Sequence, residues 1–125
     1  MNSTSHKIYA LLFFMVTAGN AFPFSPCDEI EKSDALNLCL GKELHRVDRD
    51  LNSSYADIMQ KLTPERKELL RKSEIAWIEL RDKDCEFEAS SAARGTAYQP
   101  LYISCQIKLT KNRLQLLQNW RQQAL

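Results

Sequence analysis

All four cysteines of this 125-residue chain follow an N-terminal segment that has the parts of a secretory signal. Residues 1–7 carry a lysine and no acid, residues 8–18 form an almost unbroken apolar run, and Gly19-Asn20-Ala21 supplies small residues before a cleavage point. The apolar run is well short of the roughly 20 residues that cross a bilayer, which favours a cleaved signal over a membrane anchor. We therefore expect residues 1–21 to be removed on bacterial export, to the periplasm or the exterior.

The mature chain, residues 22–125, has the size of one small domain, and exported domains of this size usually oxidise their cysteines. Three pairings are open for the four cysteines, of which Cys27–Cys39 with Cys85–Cys105 is the most local. Oxidised cysteine is not a nucleophile, and no C-x-x-C pair occurs. The sequence therefore predicts two disulfides, with neither a catalytic thiol nor a zinc site.

Charge and motifs exclude several classes of function. The chain carries a formal net charge of +1, and without Lys7 its charges balance, so nothing points to nucleic acid or an anionic membrane surface. No phosphate-binding glycine loop, G-x-S-x-G or H-E-x-x-H motif occurs. A glycosidase would need two placed carboxylates, and sixteen acids make a chance pair easy to find. We predict no enzyme activity, no cofactor and no metal.

Helical periodicity covers most of the mature chain, and no segment has the alternating β-branched pattern of a strand. Apolar residues at steps of three and four between Leu40 and Leu62 predict one buried seam on a long first helix. Ser33 is expected to cap this helix, and Gly41 to break or bend it. Thr63-Pro64 predicts the end of one helix and the start of the next.

Two further helices follow, and Gly95 is expected to cap the end of the first of them, with residues 96–101 as a loop. The first of these two helices is expected to bury a face made of Leu69, Leu70, Ser73, Ala76, Trp77, Leu80, Asp84 or Cys85, and Phe87. The last helix is expected to bury Tyr102, Cys105, Leu109, Leu116 and Trp120, in a stripe that Ile107, Leu114 and Leu117 widen. The predicted fold is all-α, a small antiparallel bundle of three to four helices stapled by two disulfides.

A tryptophan and two arginines mark the second and third helices. Trp77, Arg81 and Asp84 share one helix face at steps of four and three. Arg81 and Arg113 can each bind a carboxylate with two parallel hydrogen bonds, and Asp48 and Asp84 are available partners. We interpret the tryptophan as a core residue and the arginines as members of structural ion pairs, because these roles are commoner than ligand binding.

In order and spacing, these segments resemble the LprI-type lysozyme-inhibitor domain over nearly all of the mature chain. The matching segments are Cys27 with Cys39, Asp48-x-x-x-Asn52-x-x-Tyr55, Ala76-Trp77…Arg81…Cys85, and Cys105…Thr110-x-x-Arg113…Leu117. The resemblance implies a small helical protein of the cell envelope. It also implies that Asp48, Asn52, Tyr55, Trp77, Arg81 and Arg113 are scaffold positions.

The resemblance implies a protein partner, since a member of the family is described as inhibiting lysozyme. Our first functional hypothesis is that the loop between the last two cysteines occludes the cleft of a basic lysozyme. We expect Glu86 and Glu88 to steer such a partner and Tyr98 and Tyr102 to anchor the contact. The alternative to a binding surface is that these residues form an ordinary solvent-exposed helix face and loop. A second functional hypothesis is an envelope immunity or stress-response protein that binds another secreted partner. The oligomeric state stays open.

Overall fold

A computed structural model describes residues 26–123, which form three long helices. Helix α1 spans Ser33–Lys61, α2 spans Pro64–Ala89 and α3 spans Tyr98–Gln123. A single 3₁₀ turn, Ser90–Ala92, follows α2. No strand occurs within residues 26–123, so the predicted all-α fold is confirmed. The predicted signal, residues 1–21, lies outside the described residues.

The boundary between α1 and α2 is the one that Thr63-Pro64 predicts. The Thr63 hydroxyl accepts a hydrogen bond from the backbone N–H of Arg66, and Pro64 takes the first helical position, where no N–H partner is needed. The predicted cap at the start of α1 is wrong. Ser33 is already the first helical residue, and Lys32 precedes it without a side-chain cap.

Gly41 does not interrupt α1, contrary to the prediction. The helix runs through it without a break because residues on either side, Leu40 and Leu44, pack into the core with α3. Tertiary packing of an apolar face outweighs the weak helix preference of one glycine. A Cβ placed at Gly41 would meet no heavy atom within 4 Å, so packing does not require glycine here.

Helix α3 packs against both other helices. It runs parallel to α1, since Lys111 reaches Glu43 and, further along both helices, Arg121 reaches Asp57. Helix α2 runs in the opposite direction to both, as its tight connection to α1 requires. The arrangement is the up-down-up bundle of three helices that the sequence predicts.

The apolar core is divided into two clusters along the bundle. The first cluster contains Cys27, Leu40, Ile103 and Ile107, with Leu36, Cys39 and Leu44 packed against it. The second cluster contains Leu51, Ile58, Leu70 and Leu117, with Tyr55, Met59, Leu62, Trp77, Leu114 and Trp120 packed against it. Along α3, buried Thr110 and Arg113 separate the two clusters. A polar layer therefore crosses the bundle between two apolar ones.

Both disulfides adopt the most local pairing. Cys27 bonds Cys39, with 5.8 Å between their Cα atoms, and this bond holds the segment before α1 against that helix. Cys85 bonds Cys105, with a Cα separation of 5.5 Å, and this bond joins α2 to α3. Together they fix the end of the bundle at which α1 and α3 begin.

The predicted buried faces of α2 and α3 are partly wrong. The large apolar residues that were expected inside and are exposed are Leu69, Leu80, Phe87 and Leu116. The face of α2 that turns inward instead carries Leu70, Cys85 and Ala89. Half-buried Trp77 and Arg81 lie on this same face. Because Arg81 is charged, a search for apolar spacing does not identify it as part of the inward face.

Replacing Gly41 with alanine should stabilise the protein by about 0.5–1 kcal/mol, because glycine in a helix interior loses more backbone entropy on folding. Urea unfolding of the oxidised protein would measure the change. The matched control is Gly95→Ala, which lies outside the helices and should shift stability less. A loss of stability in Gly41→Ala would contradict the continuous helix.

The carboxylate of Glu43 should make stability depend on pH. Its two oxygens accept bonds from Arg46 at 2.8 and 2.9 Å, and Lys111 lies 2.9 Å away on α3. The pKa of Glu43 is lowered from 4.5 to about 2, chiefly by the bond from Arg46, while burial opposes the lowering and Lys111 adds to it. Because the folded pKa is the lower one, this stabilisation is complete above about pH 4.5.

The free energy of unfolding should therefore fall between about pH 4.5 and 2, and Glu43→Gln should remove part of that fall. Denaturant titrations across this range would measure both slopes. Asp50→Asn is the control, since its exposed contact with Arg46 is expected to contribute little. Equal slopes for the wild type and Glu43→Gln would show that the pKa of Glu43 is not lowered in the folded protein.

Candidate partner-binding surface

The disulfide between α2 and α3 closes a lobe at one end of the bundle. We define the stapled lobe as residues 86–104, the residues between Cys85 and Cys105. Both sulfur-bearing residues are almost fully buried, at 0% and 2% exposure. The lobe thus contains the last turn of α2, the connection and the first two turns of α3. The disulfide joins its two ends covalently.

The connection between α2 and α3 satisfies its own backbone. The N–H of Ser90 donates to the carbonyls of Glu86 and Phe87 and ends α2, and the Ser90 hydroxyl donates to the Phe87 carbonyl at 2.6 Å. The N–H of Ala93 donates to Ser90, and the N–H of Gly95 donates to Ala92. These successive bonds define a short, ordered turn.

The residue with left-handed backbone in this turn is Arg94, with φ of 73°. Gly95 was predicted to cap the end of α2, and this is wrong, because the cap is Ser90, five residues earlier. Left-handed backbone is costly for a residue with a Cβ, and its surroundings must hold it there. The predicted loop is also shorter, because α3 begins at Tyr98. Pro100 fits in its first turn, where its missing N–H has no helical partner.

The predicted anchors, Tyr98 and Tyr102, lie together on the first turns of α3. Their rings are nearly parallel, with centroids 6.2 Å apart and an angle of 6° between planes. One turn further along, Gln106 donates to the Tyr102 hydroxyl at 3.3 Å and to Asp82 of α2 at 3.1 Å. Both rings are half-buried, so each has a supported side and an accessible side.

The hydroxyl of Tyr102 stays protonated well into the alkaline range. Burial raises the pKa of this phenol, and the nearby carboxylates of Asp82 and Glu86 raise it further. At neutral pH the group is therefore a neutral hydroxyl that can donate as well as accept hydrogen bonds. An aromatic face with a polar tip is typical of residues that dominate protein interfaces.

The two predicted steering acids carry lysine partners. Glu86 lies 3.1 Å from Lys83 on the same helix, and Glu88 lies 3.0 Å from Lys108 on α3. Each exposed pair compensates its own charge locally, which reduces the long-range attraction that either carboxylate exerts on a basic partner. Glu88 also links the stapled lobe to α3, a contact that the sequence pattern did not indicate.

Beneath the lobe, Arg81 connects all three helices. Its guanidinium lies 2.9 Å from Asp82 and 3.5 Å from Asp48 of α1, and it donates to the hydroxyl of Thr110 on α3 at 3.3 Å. It also lies 5.2 Å from the centre of the Trp77 ring. Asp48 is thus the partner that the sequence predicted, and the neighbouring Asp82 was missed.

Arg113 is buried in the same polar layer, one helix turn further along α3. It donates to Glu74 at 3.0 Å and to the Ser73 hydroxyl at 2.9 Å. Its guanidinium lies over two indole rings, 5.6 Å from the centre of the Trp77 ring and 5.2 Å from the centre of the Trp120 ring. Cation–π contacts of this kind strengthen where water is excluded.

The remaining motif residues are spread over the scaffold and form no single site. Tyr55 packs against the second cluster, whereas Asn52 is exposed on α1. Asp84, which was predicted as an arginine partner, is exposed on α2, and both arginines bind other carboxylates. The structure therefore brings Asp48, Trp77 and Arg81 together and leaves Asn52 and Asp84 apart from them.

An open groove of 540 Å³ lies at the other end of the bundle, beside the α1–α2 turn. Apolar side chains, including those of Ile58, Leu62 and Leu70, line most of it, with Trp120 and Arg66. None of the residues predicted as site or motif contributes to its lining. Within residues 26–123 no group of three or more histidine, cysteine or acidic side chains is arranged to hold a metal ion.

Comparison with known families identifies this scaffold. The family described as Lysozyme inhibitor LprI matches residues 27–117, from the first disulfide cysteine to Leu117 of the second cluster. The chain belongs to the LprI family. The match includes both disulfides, the polar layer and the stapled lobe. It confirms the resemblance on which the expectation of an envelope protein rests.

Two relatives are similar to this chain over most of their length. Uncharacterized protein R02472 of Rhizobium meliloti strain 1021 is 28% identical over 90% of this chain and 91% of its own. Uncharacterized protein YecT of Escherichia coli strain K12 is 29% identical over 75% of this chain and 67% of its own. No solved structure matches the chain.

The two disulfides of this LprI domain are bonds that persist in oxidising compartments outside the cytoplasm. None of the helices within residues 26–123 has the length and apolar character that crossing a membrane requires. The disulfides agree with the extracytoplasmic location that membership of the LprI family suggests.

Arg113→Met should destabilise the protein by about 3–5 kcal/mol, because it leaves the largely buried carboxylate of Glu74 without its cation. Adding Glu74→Leu to this variant should recover much of the loss, since the uncompensated charge is then removed. Chemical denaturation of the single and double variants would measure the coupling.

Arg121→Met provides the control for this cycle. It removes another arginine of α3 with one carboxylate partner, Asp57, but the pair is exposed and should contribute no more than about 1 kcal/mol. If the double variant is no more stable than Arg113→Met alone, Glu74 and Arg113 do not act as a buried pair.

Proposed function

We propose that this protein is an exported inhibitor of a glycan hydrolase such as lysozyme, acting in the periplasm or outside the cell by occluding the enzyme's cleft. Membership of the LprI family supports this proposal, because the family is described by lysozyme inhibition. The predicted signal over residues 1–21 and the two disulfides support export. In this proposal the protein binds its target and has no catalytic activity of its own.

The stapled lobe is the observation that carries the proposal. A covalent base at Cys85–Cys105 and an internally bonded turn hold the lobe in one shape before any partner arrives. Ordering a loop in advance removes part of the entropic cost of association, so a pre-formed projection binds a cleft more tightly than a mobile one. The turn itself is narrow, since its side chains are small except for Arg94.

Tyr98 and Tyr102 are the proposed anchors. Rigid aromatic rings provide contact area with little loss of side-chain freedom, and the bonded Gln106 limits the movement of Tyr102 further. Glu86 and Glu88 are proposed as rim contacts. Because each already has a lysine partner, we assign the affinity mainly to shape and aromatic contact, with a smaller contribution from charge steering.

The oxidised mature protein should inhibit a basic, chicken-type lysozyme in a cell-wall lysis assay, and Tyr98→Ala with Tyr102→Ala should weaken inhibition at least about 10-fold. Tyr98→Phe with Tyr102→Phe keeps both rings and should retain most of the inhibition. Gln60→Ala, exposed near the α1–α2 turn at the other end of the bundle, is the neutral control. Reduction of the disulfides should abolish inhibition.

A second arm replaces cell walls with a soluble chitooligosaccharide substrate. Occlusion of the cleft predicts inhibition of both reactions with the same dependence on concentration. Protection of walls without inhibition of the soluble substrate would mean that the protein binds the wall and not the enzyme. No effect on either reaction at large molar excess would reject lysozyme as the target and leave another secreted protein as the partner.

A further inference from the structure

The tip of the stapled lobe carries an isolated positive charge. Within residues 89–107, which comprise the end of α2, the connection and the start of α3, the only charged residue is Arg94. The charged residues that border this span, Glu88 and Lys108, pair with each other at 3.0 Å and so compensate one another. Arg94 is therefore the one charge that the tip of the lobe offers to a partner.

The guanidinium of Arg94 has no partner within residues 26–123. Most arginines of the bundle bind carboxylates, and at Arg81 and Arg113 these contacts belong to the buried polar layer. Arg94 is exposed, and its side chain forms no hydrogen bond or ion pair with any described residue. Ala93 and Gly95 on either side are small and leave the side chain unshielded. All of its N–H donors are thus available to a group from outside the chain.

The backbone at Arg94 has a conformation that favours glycine. Its φ is 73°, whereas no glycine among the described residues has a positive φ, including Gly95 directly after it. Glycine at position 94 would avoid the close approach of a Cβ to the following carbonyl oxygen, so the turn itself does not require the arginine. Left-handed conformations of residues with a Cβ are concentrated at active sites and ligand-binding sites. The strained position therefore indicates a function of the arginine side chain itself.

The turn presents Arg94 in a fixed position beside the proposed anchors. The N–H of Gly95 donates to the Ala92 carbonyl, and the N–H of Tyr98 donates to the Gly95 carbonyl at 3.3 Å. The turn is thus bonded to the segment before it and to the first residue of α3 after it. Four residues separate Arg94 from the first of the two stacked rings. A cation that is held in place in this way loses little backbone freedom when it binds.

Glycan hydrolases have clefts whose chemistry complements such a cation. Two carboxyl groups about 5–9.5 Å apart flank the glycosidic bond that these enzymes cleave. A guanidinium binds a carboxylate through two parallel hydrogen bonds, which is its strongest and most specific ionic contact. We propose that Arg94 enters the cleft of the inhibited enzyme and binds its catalytic carboxylates, with the tyrosine rings packing beside it. This inference rests on the proposed function and names the residue that reaches the catalytic centre.

Arg94→Gly separates binding from stability. It removes the guanidinium and relieves the left-handed backbone, so inhibition of a chicken-type lysozyme should weaken at least about 10-fold while the unfolding temperature stays equal or rises. Arg94→Gln removes the charge and should weaken inhibition to a similar degree. The matched control is Arg49→Gln on α1, another exposed arginine without a described partner, which should inhibit like the wild type. Inhibition constants are measured with the soluble chitooligosaccharide.

The enzyme's side of the contact is tested with a lysozyme in which both catalytic carboxyl groups are replaced by amides. Titration calorimetry measures the binding of the wild-type protein and of Arg94→Gln to both forms of the enzyme. Arg94→Gln should weaken binding at least about 10-fold with the unmodified enzyme and less than about 3-fold with the amide form, because the effects of two groups in contact are not additive.

The outcomes separate this contact from the proposed function. If the wild type inhibits and both Arg94 variants inhibit equally well, the role of Arg94 is overturned and the proposed function stands. A loss of inhibition that appears only with a lower unfolding temperature assigns Arg94 a structural role and also overturns the inference. An undiminished loss with the amide enzyme overturns the catalytic carboxylates as the target. A wild-type protein that neither inhibits nor binds the enzyme overturns the proposed function and this contact together.

Discussion

The buried guanidinium of Arg113 is the interaction on which the arrangement of the helices depends. It lies between the rings of Trp77 and Trp120 and binds Glu74, so one cation from α3 fixes the rotation of α2 about its own axis. With Arg81 it forms a polar layer that separates two apolar clusters. Breaking one member of a buried pair leaves an uncompensated charge, so this layer strongly disfavours other packings of the same helices.

The polar layer also explains how the stapled lobe is held. From Arg81 the contacts continue through Asp82 and Gln106 to Tyr102, so the aromatic pair is connected to the interior by hydrogen bonds as well as by the disulfide. A rigid support and a small projecting turn are what a cleft-binding protein requires.

Predictions from the sequence were most accurate where the deciding interactions are local. The helix junction at Thr63-Pro64 and the seam of α1 followed from neighbours a few residues apart. They were least accurate on α2, where Phe87 was placed inside and is exposed. Two apolar stripes share that helix, and a pattern cannot tell which stripe meets α3. At the turn, Gly95 was expected to cap α2, yet the helix ends at Ser90 and the left-handed residue is Arg94.

By itself, the sequence determined that the chain is helical, that it carries the marks of export and that its cysteines suit two disulfides, since these follow from composition and short-range spacing. Only the tertiary structure decided which pairing the cysteines adopt and which carboxylate each arginine binds. Arg113 pairs with Glu74, although the sequence alone made Asp48 and Asp84 the expected partners. The choice depends on how α2 and α3 are rotated against each other, since this rotation brings together two residues 39 positions apart in the chain. Local spacing does not encode that rotation.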